Sequence, residues 1–144
     1  MPSVRLVAPA DEAAPARLRI SVHVASTERQ SSTGTFVATG LVADSGVVPD
    51  LERFGGLRER PRTKVVVRGA EVLAGSAGRI AVAFDGVFRP AGPGVYAGEG
   101  AWRVTGGDHA YERLRCEGSW TATTVMGPDG VTADVVYEGP GKLV

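Results

Sequence analysis

Along the chain, apolar and polar residues alternate with a period of two far more often than with the period of a helix. The clearest run is 17–24, where Leu18, Ile20, Val22 and Val24 share one face and Arg17, Arg19, Ser21 and His23 share the other. Such alternation marks a strand with one face buried and one in water. Comparable runs predict strands over 35–42, 63–73, 79–88, 95–105, 119–125 and 131–138, with 4–7 as a further edge strand if the first residues are ordered. Turn-forming residues separate them: 44–46, 75–78, 90–94, Gly106-Gly107 and 126–130. In the last of these, proline presets one backbone angle and glycine supplies another, which favours a tight hairpin. Gly69 in mid-strand predicts a bulge or bend.

The stretch 101–120 organises the rest. Trp102 and Val104 alternate with Arg103 and Thr105, the double glycine stops the strand, and Asp108 turns the chain. Tyr111 and Leu114 stand three apart and predict one short helical turn on the core. Gly118 predicts a reset before the strand that Trp120 opens. Leu51, Phe54 and Leu57, within the mixed stretch 47–62, predict a loop or lid over a barrel mouth, with an irregular strand as the alternative.

Seven or eight antiparallel strands and no long helix predict an all-β barrel of about eight strands, because closure removes exposed sheet edges. Residues 16–139 form the predicted domain. Residues 1–15, with three prolines and an alanine-rich patch, predict a flexible arm, and 140–144 a short frayed tail. The chain has 144 residues, enough for one domain with a substantial core. Sixteen basic residues balance 16 acidic ones, which argues against a general electrostatic grip on nucleic acid or an anionic membrane. The single cysteine allows no intrachain disulfide, and the first 16 residues resemble neither a secretory signal nor a membrane span, so a cytoplasmic protein is expected. One cysteine and 2 histidines make no metal-site spacing, and none of the phosphate-loop, dinucleotide or nucleophile-elbow signatures occurs, so neither metal nor cofactor is expected. His23 falls on a polar face, where a solvated or ion-paired histidine is expected rather than a catalytic one.

The stretch W-R-V-T-G-G-x-x-A-Y-x-x-L-R-x-E-G-S-W resembles a glycine-rich segment of the allene oxide cyclase-like barrel group, which includes dirigent proteins. Gly34-Thr35-Phe36-Val37-Ala38-Thr39-Gly40, followed by Asp44-Ser45-Gly46, is similar to a second segment of that group, and Arg60-Pro61-Arg62-Thr63 and Gly139 also fit. The likeness spans roughly 16–139 and is closest to small, mostly uncharacterised actinobacterial members. The chain departs from the group's pattern at Asp108 and His109, after the double glycine, and at Cys116, where glycine is common. The resemblance implies a cavity that holds a reactive hydrophobic molecule and controls how it cyclises or couples.

Such chemistry asks for an apolar hollow and one or two buried polar groups. Glu71 and Glu99 lie in otherwise apolar strands, and a carboxyl forced into an apolar pocket acquires a raised pKa and acid–base capacity. The competing reading places each on the solvent face. Tyr96 and Tyr137 are candidate hydrogen-bond donors, so the catalytic candidates are Glu71, Glu99 and Tyr137. Phe36, Phe84, Tyr96, Trp102 and Trp120 are the candidate substrate-binding aromatics, although both tryptophans also suit a role as core plugs. The expected function is a cofactor-free cyclase or isomerase acting on a small hydrophobic molecule. The alternatives are a non-catalytic binder of such a molecule and a packed structural barrel. A homo-oligomer, dimer or trimer, is expected.

Overall fold

The computed structural model describes residues 16–27, 32–49, 63–128 and 130–144. Eight strands run β1 (Ala16–Thr27), β2 (Ser32–Gly40), β3 (Asp44–Val47), β4 (Val65–Gly75), β5 (Gly78–Gly92), β6 (Val95–Gly107), β7 (Leu114–Gly127) and β8 (Gly130–Leu143). Each pairs antiparallel with the next, and β1 pairs with β8 from Ala16↔Gly141 to Thr27↔Gly130, which closes the barrel. The strand rhythm is realised as expected: Leu18, Ile20 and Val22 are buried while Arg17, Arg19, Ser21 and His23 are exposed. In a closed barrel the buried face of every strand is the inner one.

Several local expectations are corrected. Asp44-Ser45-Gly46 does not turn the chain but opens the short strand β3; the turn comes earlier, after Gly40, whose φ of 92° is left-handed. Gly69 makes no bulge, since it pairs in register with Phe84; the register shifts lie between β5 and β6, at Ala81/Val82 and Pro90/Gly92. Gly118 does not interrupt the chain, because β7 runs through it from Leu114. Its hydrogen lets β8 approach, since a Cβ there would lie 1.9 Å from the Glu138 carbonyl oxygen. Residues 140–143 are part of β8, with Leu143 opposite Leu114, rather than a frayed tail. The expected arm at 1–15 and lid at Leu51, Phe54 and Leu57 lie outside the described residues.

The 101–120 stretch behaves largely as expected. β6 ends at Gly107, and one 3-10 turn, His109–Tyr111, carries the chain to β7 with Tyr111 and Leu114 both buried. His109 takes a positive φ of 50°, a conformation glycine adopts more easily, at the position where the resemblance had already departed.

The β2–β3, β4–β5 and β6–β7 connections all meet at the end where β1 begins. Asp44 fastens that end. Its Oδ1 accepts hydrogen bonds from the backbone N–H of Ser45 and Ser76 (2.8 and 3.1 Å) and from the Ser76 hydroxyl (2.6 Å). Its Oδ2 accepts from Ala77 N–H (3.1 Å) and from the Tyr111 hydroxyl. Burial raises the carboxyl's pKa, but these donors outweigh burial and hold it well below its ordinary value.

Candidate functional site

Inward-facing residues make the hollow strongly apolar. Aromatic rings fill much of it, and glycines on facing strands make room for them. Gly86 and Gly100 face each other, and the Trp120 indole lies against them, so a Cβ would meet the ring at 2.5 Å from Gly86 and 2.7 Å from Gly100. The Trp120 N–H donates to the Asp85 and Ala101 carbonyls at 3.0 and 3.1 Å. Its ring meets Phe84 edge-on at 6.2 Å and Phe88 at 5.7 Å. Gly98 gives Phe88 its place and Gly69 gives Phe84 its own.

Trp102 packs its ring 5.2 Å from that of Tyr137 and donates to the Glu138 carbonyl at 3.0 Å. That carbonyl sits where the β7–β8 ladder is interrupted between Cys116↔Gly141 and Ser119↔Glu138, beside Pro140, which has no N–H to give. All five expected aromatics, Phe36, Phe84, Tyr96, Trp102 and Trp120, are therefore buried on the inner side. Phe88 belongs with them and was missed, although it stands four residues from Phe84 and shares its parity.

The three catalytic candidates divide. Glu71 is only 3% exposed and points into the hollow from β4. Tyr137, 1% exposed, comes from β8, four strands away around the ring of eight and so on the opposite wall. The two meet across the hollow: the Tyr137 hydroxyl donates to Glu71 Oε1 at 2.7 Å. Glu71 Oε2 is buried and has no hydrogen-bond partner among the described residues. Burial pushes the Glu71 carboxyl from its ordinary 4.5 up to about 7, with the Tyr137 hydrogen bond pulling the other way. Burial, reinforced by the Glu71 charge, raises the Tyr137 phenol well above its ordinary range.

Glu99 does not join them. It lies on the outer face, ion-paired to Arg89 at 3.6 Å. The physical reason is parity: Tyr96, Gly98 and Trp102 face inward, and Glu99 is one residue out of step with all three. The same rule places Glu71 inside, in step with Leu73.

His23 is exposed on the outer surface, its Nδ1 hydrogen-bonded to Asp134 Oδ1 at 2.6 Å. Cys116 is buried, its Sγ 3.6 Å from the Gly139 carbonyl, and burial pushes its thiol up to about 11, which keeps it unreactive. A groove of about 540 Å³ between β4, β5, β6 and β7 is bordered by the charged side chains of Arg68, Asp85, Arg103 and Glu117, reaches Gly69, Phe84 and Trp102, and does not include Glu71. Among the described residues no helix is long and apolar enough to cross a membrane.

No protein-family model, no curated protein and no solved structure matches the chain.

A carboxyl placed this way can do specific chemistry. One oxygen is held by the tyrosine, the other is buried without a hydrogen-bond partner among apolar neighbours, and a pKa near neutrality lets the group give or take a proton at ordinary pH.

Proposed function

We propose that the barrel is a cofactor-free cyclase or isomerase for a small hydrophobic molecule, of the allene oxide cyclase-like kind the sequence resembles, with Glu71 as its proton-handling group. The observation that carries this reading is the unpartnered Oε2 of Glu71 inside an apolar barrel. A buried polar atom without a partner costs about 1–3 kcal/mol, and a site that completes its hydrogen bonding on binding recovers that cost. The aromatic walls restrict the bound molecule to few conformers, which lowers the barrier to ring closure or rearrangement. Glu71 lends a proton as bonds shift and takes it back at the end. Cyclisation and isomerisation leave atomic composition and oxidation level unchanged, so no reductant, oxidant or cofactor is consumed. Tyr137 positions the carboxyl.

The apolar lining supports a second reading equally, in which the hollow retains a molecule without changing it. One experiment separates the two. Apolar polyene epoxides are incubated with wild-type protein and with Glu71→Leu, and both products and retained ligands are followed by mass spectrometry. The proposal expects an isomer of unchanged mass, formed about 10²–10⁴ times faster by wild type. A ligand retained unaltered selects the binder, and equal rates for both proteins contradict the assignment to Glu71.

A further inference from the structure

Building on the reading of Glu71 as the working group of the hollow, its hydrogen-bond arrangement identifies the kind of molecule it receives. A protonated carboxyl has one carbonyl oxygen, which accepts, and one hydroxyl, which donates. The Tyr137 hydroxyl donates to Oε1 at 2.7 Å, and because the carbonyl oxygen is the stronger acceptor this favours the form with the proton on Oε2. Oε2 is then a buried donor, and no described residue offers it an acceptor. We propose that the missing acceptor belongs to the substrate, an uncharged carbonyl compound whose oxygen takes the Glu71 Oε2–H hydrogen bond beside the Trp102–Tyr137 ring pair.

The surroundings of Glu71 select against charged alternatives. Among the described residues, the buried positions of β1, β2 and β5 are all apolar, from Leu18 through Phe36 to Phe88. β6, β7 and β8 add Tyr96, Cys116, Thr124 and Tyr137, and no described lysine, arginine or histidine is buried. Asp44 and Tyr111 are engaged with each other at the end of the barrel. A carboxylate ligand would thus meet no cation and a second acid. An ammonium ligand would demand that Glu71 ionise, against the burial that favours its neutral form.

Tyr137 is a positioning residue in this scheme: it favours one oxygen as the proton carrier without itself touching the substrate. Its hydrogen bond also lowers the Glu71 pKa, so replacing it has a distinct signature.

The test uses four probes on one body: 4-tert-butylcyclohexanone, the corresponding hydrocarbon, amine and carboxylate. Binding to the full chain is followed through its tryptophan fluorescence, and the carbonyl stretch of the bound ketone by infrared spectroscopy. Because Glu71 titrates at about 7, the ketone is expected to bind about tenfold more weakly at about pH 8 than at about pH 5.5. Hydrocarbon affinity is expected to stay level, and the bound C=O stretch to lie at lower frequency only on the acid side. Glu71→Gln is expected to abolish both pH effects, and Tyr137→Phe to carry them to higher pH. An amine that binds best, and more tightly as pH rises, overturns the proposal in favour of a cation. A ketone that binds with no pH dependence and no infrared shift overturns it while leaving the hollow as a binding site. Failure of all four probes to bind overturns it together with the functional reading beneath it.

Discussion

Glu71 and Asp44 are two carboxyls with opposite assignments, and pH separates them. The unfolded chain releases the Glu71 proton near 4.5 and the folded chain near about 7. Between those values the folded state holds more protons, so stability falls as pH rises through the window and levels off above it. The gap corresponds to about 3 kcal/mol, spread over that range. Chemical denaturation of wild type is expected to show this slope, and Glu71→Gln to remove it. Asp44 works the other way. Its folded pKa lies below the ordinary 3.8, so its contribution is fully present above that value and is lost as pH falls below it. Asp44→Ala, which strips five hydrogen bonds to one carboxylate, is expected to lower stability at neutral pH by roughly 3 kcal/mol, and its denaturation curve should lose part of the wild-type acid sensitivity. Neither role was fully legible in the sequence. Glu71 was a candidate on the strength of its apolar neighbours alone, and Asp44 was read as a turn residue because Asp-Ser-Gly has that chemistry locally. Its five donors come from the same chain neighbourhood and from partners 32, 33 and 67 residues away, which a local pattern does not register.

At the scale of elements, the period-two rhythm carried most of the fold. β1, β5, β6 and the β7–β8 hairpin sit where alternation and turn chemistry placed them, with boundaries moved by a few residues. β4 was harder, since Val65, Val66 and Val67 put apolar side chains on both faces. Two of the errors fall at glycines. Gly69 read as a bulge or bend and Gly118 as a reset of the chain, whereas each serves a close approach: the Phe84 ring at Gly69, the neighbouring strand at Gly118. Glycine in a strand signals either a bulge or missing space, and only the facing residue decides between them. Adding a methyl group therefore has position-dependent effects. At Gly100 the new Cβ would lie 1.9 Å from the Asp85 carbonyl oxygen and 2.7 Å from the Trp120 indole nitrogen, while at Gly106 nothing lies within 4 Å. Gly100→Ala is expected to cost about 3 kcal/mol or more by denaturation, and Gly106→Ala to change stability by less than about 0.5 kcal/mol. Similar losses for both would contradict the packing described around Trp120.

For the whole molecule, closure of the ring is what makes a carboxyl on one strand a candidate site. β4 and β8 lie on opposite walls, and only a closed sheet brings Tyr137 within 2.7 Å of Glu71 across an interior lined by aromatics. Sequence rhythm could suggest a barrel but not this register across it, because the residues are 66 positions apart and share no local pattern. The most direct measurement is a carbon-13 NMR titration of the Glu71 side-chain carboxyl in the folded protein. A midpoint near about 7, moved further up by Tyr137→Phe, is what a dry hollow spanned by this hydrogen bond predicts. A midpoint near 4.5, unmoved by that substitution, would mean a water-filled interior and would contradict the account.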